Sequence, residues 1–218
     1  MKFFLDSANI EEIQRASAWG IIDGVTTNPS LIAKEGAPVE DQIRRISGII
    51  DGDISAEVVA TSAKEMIAEG RLLARIHRNI IVKIPLVPEG VIAAGALAKD
   101  GIRTNVTLCF SAAQAIVAAK TGAYVVSPFI GRVDDIGWPG VEVLSDILAI
   151  YRNYGFKTQV LAASVRGPLH VVQAAKAGAH IVTLTLKVLE QLIQHPLTEK
   201  GLDQFLKDHR EAFDLTPA

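Results

Sequence analysis

One pattern governs what this chain can fold into: eight short apolar runs alternate with longer helical stretches from end to end. The runs fall at residues 2–6 (KFFLD), 24–28 (GVTTN), 54–59 (ISAEVV), 80–85 (IIVKIP), 103–108 (RTNVTL), 124–129 (YVVSPF), 157–164 (KTQVLAAS) and 179–185 (AHIVTLT). Helical patterns lie between them at 9–18, 30–50 (interrupted near Gly36-Ala37-Pro38), 62–77, 88–99, 111–121, 141–154, 168–176 and 187–194. A last amphipathic helix is expected over 198–213, with Leu202, Phe205, Leu206 and His209 at helical spacing. Gly20, Gly101, Gly122 and Gly178 each stand between a helical stretch and the next apolar run. Glycine just past a helix is the usual stop signal, since it takes the left-handed conformation without steric cost. Strict alternation with short connections implies a parallel sheet. Eight units point to a closed (β/α)8 TIM barrel, compact beside the ~250 residues typical of that fold. A doubly wound open sheet is the competing architecture. Against it, no G-x-G-x-x-G follows the first strand, and there is no Walker-type loop or second-domain boundary.

The chain has 218 residues, 49% of them hydrophobic, which is enough for one large core, and a single domain over 1–218 is expected. A net charge of −2 argues against nucleic-acid binding, which usually shows a strongly basic face. No apolar run reaches the roughly 20 residues that span a bilayer, and the N-terminus enters a strand without a signal-peptide pattern. The single cysteine, Cys109, allows no internal disulfide and points to a reducing, cytoplasmic setting. It has no basic neighbours and reads as a small buried thiol.

Within the fourth run a lone lysine, Lys83, sits among β-branched residues. Lysine is rarely buried without a partner, and a desolvated amine loses its proton more readily, giving a nucleophile for carbonyls. Pairing with a carboxylate, or snorkelling from the strand end, is the alternative. The other strands bear on that choice. Side chains two apart share a face of a strand, and the polar residues near the strand ends keep one parity. They are Asp6, Thr26 with Asn28, Ser55 with Glu57, Lys83, Asn105 with Thr107, Ser127, and Ser164. Leu5, Val25, Val58, Val82, Ile84, Val106, Val126 and Ala163 fall between them and suit the helix-facing side. Barrel active sites lie at the C-terminal mouth, so these groups would share one pocket. Two carboxylates, two asparagines and several hydroxyls exceed what one ammonium needs, and suit a polyhydroxylated substrate.

Arg132 follows the sixth run, and Arg166 follows the seventh just before Pro168 opens a helix. Two guanidinium groups with helix N-terminal amides suit a phosphate. Asp134-Asp135 reads as a solvated loop pair or a helix start. Asn28-Pro29 reads as a turn, with Ser30 capping the helix that follows. The five histidines have no ligand spacing, no metal site is expected, and none is given a catalytic role.

The segments FLDSAN at 4–9, GVTTNPSLIAKEG at 24–36, VKIP at 82–85, TNVTL at 104–108, SPFIGR at 127–132 and AASVRG at 162–167 resemble the transaldolase family, in particular its compact subfamily that includes the fructose-6-phosphate aldolases. The resemblance covers nearly the whole chain. It implies a (β/α)8 barrel and a class I mechanism through a lysine Schiff base, without metal or organic cofactor. Lys83 would form the imine with a ketose phosphate, and Asp6 would deprotonate the donor's C4 hydroxyl. Glu57 and Thr107 would hold the water of imine formation and hydrolysis. Asn28, Asn105 and Ser127, in a pocket with Thr26, would bind the dihydroxyacetone hydroxyls. Arg132, Ser164 and Arg166 would grip the phosphate.

Two positions separate activities in that subfamily. The aldolases carry glutamine where Glu57 stands and tyrosine where Phe129 stands, so this chain has the transferase pattern; Ser7, where threonine is more usual, is a small departure. The implied reaction moves dihydroxyacetone between sedoheptulose 7-phosphate or fructose 6-phosphate and an aldose phosphate, as in the pentose phosphate pathway. Fructose-6-phosphate aldolase, or a non-catalytic sugar-phosphate-binding barrel, are the alternatives. The resemblance further implies a homo-oligomer, a pentamer or decamer, with the helix at 198–213 on a neighbouring subunit. The stripe Leu202, Phe205, Leu206 and Phe213 fits that arrangement or a helix covering its own barrel.

Overall fold

A computed structural model describes residues 1–213. Its strands are β1 (Lys2–Asp6), β2 (Gly24–Thr26), β3 (Asp53–Glu57), β4 (Ile80–Pro85), β5 (Thr104–Cys109), β6 (Val125–Pro128), β7 (Gln159–Ala162) and β8 (Ile181–Leu184). They pair in sequence order, all parallel, and β8 returns to β1, closing the barrel. The helices are α1 (Ile10–Ser17), α2 (Pro29–Glu35), α3 (Val39–Ser47), α4 (Ala63–Ala74), α5 (Pro88–Lys99), α6 (Ala112–Lys120), α7 (Ile130–Asp135), α8 (Gly140–Tyr154), α9 (Pro168–Ala177), α10 (Leu186–Gln191) and α11 (Pro196–Phe213). The closed barrel replaces the open-sheet alternative.

Local chemistry explains the helix starts. Asn9, Ser62 and Ser111 each accept a backbone N–H from the first turn of their helix, and Pro88 and Pro168 open α5 and α9. Gly20, Gly101, Gly122 and Gly178 all take positive φ, between 69° and 91°. One expectation is corrected at α2: Asn28, not Ser30, is the cap, its Oδ1 accepting the Leu31 N–H at 2.9 Å while Pro29 opens the helix. Residues 130–135, expected as loop, form α7. The last helix begins at Pro196 rather than after Thr198, because the His195 carbonyl accepts the N–H groups of Thr198 and Glu199. The helix expected over 62–77 ends at Ala74, and His77 lies beyond it, its Nδ1 accepting the Asn79 N–H at 3.3 Å.

Hydrophobic packing divides into two clusters. The larger lies between strands and helices and includes Leu5, Val25, Val82, Ile84, Val106 and Val126. The smaller, Phe4, Ile81, Val125, Leu161, Ala163 and Ile181, fills the barrel interior. Gly24 belongs to this packing. A Cβ there would lie 2.6 Å from Cε1 of Phe4 and 2.5 Å from the Asp53 carbonyl oxygen, so the Phe4 ring occupies the room a side chain would need. Leu202, Phe205 and Leu206 of α11 are exposed, so they do not cover their own barrel; the Phe213 side chain lies outside the described residues.

Candidate active site

The interior parity that carries the apolar plug carries polar groups two residues further on: Phe4 leads to Asp6, Ile81 to Lys83, Val125 to Ser127 and Ile181 to Thr183. Lys83 faces Glu57 across the β3–β4 pairing and Asn105 across β4–β5. Its Nζ lies 2.9 Å from Glu57 Oε2 and donates to the Thr27 carbonyl at 3.0 Å. Only 6% of the residue is exposed. A buried ion pair gains little net stability over apolar packing, because desolvating both charges offsets their attraction. Folding alone therefore does not account for a lysine at this position.

Asp6 Oδ1 accepts the Thr26 hydroxyl at 2.9 Å, and Thr26 is bonded in turn to Thr183 at 2.6 Å. Burial pushes the Asp6 carboxyl above its ordinary value of 3.8, against the opposing pull of the Thr26 bond and the Lys83 charge. Asn105 is fully buried: its amide nitrogen donates to Ser55 Oγ at 3.1 Å and its oxygen accepts the Ser127 hydroxyl at 2.7 Å. Asn105 therefore fixes Ser127 from beneath and is not part of the lining of the adjoining cavities.

Two cavities meet at Lys83. One of about 210 Å³ is lined by Asp6, Thr26, Ser127, Ser164, Arg166 and Thr183. The other, about 320 Å³, is lined by Glu57, Thr107 and Leu108. Asn28, Lys83, Phe129 and Arg132 border both. Among the described residues, Thr107 Oγ1 is buried and has no protein hydrogen-bond partner, although a buried hydroxyl ordinarily finds one. The adjacent Leu108 takes φ 58°, where the β5–β6 register shifts. Non-glycine residues reach that region only when surrounding structure imposes it, and they concentrate at functional sites.

At the outer end Arg132 lies over the Phe129 ring, 5.3 Å from its centroid. Ser164 requires a correction. It lies beyond β7 rather than on its inward parity, and Ala163 is the residue that joins the interior cluster. Ser164 reaches the cavity through a left-handed backbone, φ 60°, instead of through strand alternation. Several site residues were not anticipated. Thr183 follows the same two-residue alternation on β8 and was legible in principle. Thr27 acts through its backbone carbonyl, which leaves no trace in a sequence. Asp135, which holds Arg166 Nη2 at 2.5 Å, and His170, whose Nδ1 accepts the Arg166 N–H at 3.2 Å, depend on α7 and α9 meeting the loop that follows β7.

The family model described as transaldolase/fructose-6-phosphate aldolase matches residues 3–216. The chain belongs to that family. A probable transaldolase of Myxococcus xanthus is 59% identical over 209 residues, covering 95% of this chain and 94% of that protein. A probable transaldolase of Caldicellulosiruptor saccharolyticus is 57% identical over 209 residues, 95% and 96% of the two chains. One from Sorangium cellulosum is 55% identical over 215 residues, 99% and 100%. The protein is thus an enzyme of transaldolase type, a family whose substrates are phosphorylated sugars. Among the described residues, no helix is long and apolar enough to cross a membrane.

Proposed function

We propose that this enzyme is a class I transaldolase in which Lys83 carries a dihydroxyacetone unit as a Schiff base. The observation that carries the reading is the Lys83 amine held 2.9 Å from Glu57 in a cavity shared with Asp6. Lys83 passes its proton to Glu57, and the freed amine adds to the C2 ketone of fructose 6-phosphate or sedoheptulose 7-phosphate. Loss of water gives the imine, with Glu57 and the unpartnered Thr107 hydroxyl holding that water. Asp6 takes the C4 hydroxyl proton as the C3–C4 bond breaks, and the bonding electrons pass into the iminium. The aldose phosphate leaves. An acceptor such as glyceraldehyde 3-phosphate then takes up the bound carbon nucleophile, Asp6 returns the proton, and water releases the ketose from Lys83.

Burial suits Asp6 to this exchange, since a carboxyl shifted upward holds a proton closer to neutrality. Arg132 and Arg166 bind the phosphate, and Ser127 and Asn28 bind hydroxyls of the dihydroxyacetone unit, with Asn105 acting through Ser127. Phe129 offers no hydroxyl to the bound carbon nucleophile, which favours transfer over release. A cytoplasmic role in the pentose phosphate pathway fits the substrates and the single cysteine. The exposed stripe of α11 is assigned to a neighbouring copy in a pentamer or decamer, which a solution mass measurement tests.

Borohydride trapping with fructose 6-phosphate tests the mechanism. The expected result is a mass adduct on the peptide containing Lys83; an unmodified protein would support a binding barrel instead. Turnover without an acceptor separates the remaining pair of activities. Slow release of dihydroxyacetone is expected, and rapid release would make the protein an aldolase.

A further inference from the structure

We propose that α7 sets the spacing between Arg132 and Arg166, with Asp134, Asp135 and His170 as positioning residues for the anion end of the site. The inference rests on the reading of the two arginines as phosphate ligands. Arg132 lies on α7 itself, whereas Arg166 lies on the loop between β7 and α9. Nothing in that loop is regular secondary structure, so its geometry must come from its neighbours.

Consecutive carboxylates of α7 address the two halves of Arg166. Asp135 Oδ2 holds the side chain through Nη2 at 2.5 Å, on one edge of the guanidinium, leaving the other N–H groups available. Asp134 acts on the backbone through His170. Its Oδ2 lies 3.0 Å from His170 Nε2, and Nδ1 of the same ring accepts the Arg166 N–H at 3.2 Å. An Nδ1 that accepts carries no proton, so Nε2 is the protonated nitrogen and donates to Asp134. The other oxygen, Oδ1, accepts the Gly140 N–H at 2.9 Å, tying the arrangement to the start of α8.

Close backbone contact supports the same assignment. A Cβ on Gly131 would fall 2.0 Å from the Ser164 carbonyl oxygen and 2.7 Å from Arg166 Nε, so only glycine lets α7 seat against this loop. Ser164 is held at φ 60° in that contact. An exposed ion pair adds little to folding stability. Both partners of the Asp135–Arg166 pair are more than half exposed at the side chain. A fixed guanidinium matters more to an anion than to the fold, because a bidentate donor is geometry-dependent.

The test measures half-saturation of imine trapping with fructose 6-phosphate and, separately, with dihydroxyacetone, which has no phosphate. Asp135→Ala is expected to raise the fructose 6-phosphate value about tenfold, as misplacing a binding group does, and to leave the dihydroxyacetone value within about twofold. Asp135→Asn, which keeps an acceptor oxygen, recovers part of the loss. His170→Ala and Asp134→Ala act in the same direction, each by about threefold. In an Arg166→Ala background, Asp135→Ala adds less than about twofold, since coupled residues are non-additive. Equal shifts with both ligands, or a full tenfold loss in the Arg166→Ala background, would overturn the frame. A tenfold effect of Arg166→Ala with a silent Asp135→Ala overturns the frame alone. An Arg166→Ala protein that binds fructose 6-phosphate normally removes the phosphate assignment, and the frame with it.

Discussion

The two ends of the barrel interior are built from the same strands and the same side-chain parity, yet they do opposite things. Below, Phe4, Ile81, Val125, Leu161 and Ile181 close the lumen with a layer of fully buried apolar side chains. Two residues up the same strands, Asp6, Lys83, Ser127 and Thr183 open onto a cavity. The lower layer gives the upper one a dry floor, and the upper layer uses it: Asp6 is shifted upward mainly by burial. The difference shows that one period-two pattern can supply packing and chemistry in successive layers. The layers should therefore separate under mutation, stability responding below and turnover above.

The largest expected effect tests the upper layer. Lys83→Met is expected to abolish borohydride trapping and lower kcat at least about a thousandfold, since among the described residues no other lysine lines either cavity. Residual trapping by the variant would locate the nucleophile elsewhere. Asp6→Asn is expected to lower kcat by about a hundredfold or more, the usual cost of losing a general acid/base. Its stability should move the other way. An acid whose folded value lies above its unfolded 3.8 contributes stability that is fully present below 3.8 and lost as pH rises through the folded value. Asp6→Asn should thus raise Tm at neutral pH, with the gain vanishing below pH 3.8; a constant gain at all pH values would break the linkage.

The lower layer gives the reverse profile. Ile81→Ala is expected to cost about 2–5 kcal/mol in denaturant unfolding, as large-to-small core changes do, while the folded fraction keeps kcat within a few-fold. A loss of turnover with no loss of stability would show that the plug belongs to the site. The smallest effect concerns Thr107, whose hydroxyl is buried without a protein partner among the described residues. Thr107→Val removes an unpaired polar group at nearly constant shape, so stability should stay level or rise by about 1 kcal/mol, while imine formation slows.

Much of this organisation was legible in the chain. The eight strands, the barrel and the inward set of Asp6, Thr26, Lys83 and Ser127 follow from local rules, because alternation and helix stops act over a few residues. Asn28 was legible as a site position but not as a cap, since Pro29 and Ser30 signal a turn equally well. Ser164 reaches the cavity by a route that strand alternation does not predict, because β7 ends at Ala162 and a left-handed residue then redirects the chain. α7 has only the weak signal of a possible helix start at Asp134-Asp135, because glycine is a poor helix former, whereas the missing Cβ of Gly131 is what allows the helix to seat against Ser164.

By itself the sequence determined the strand count, the side most strand residues face and the family, because those depend on neighbours a few positions away or on whole motifs. Tertiary structure alone decided that Lys83 meets both Glu57 and the Thr27 carbonyl, that Asn105 lies beneath Ser127, and that consecutive aspartates of one short helix reach an arginine on another loop. Those contacts join residues far apart in the chain, and their geometry exists only once the barrel has closed and its loops have packed.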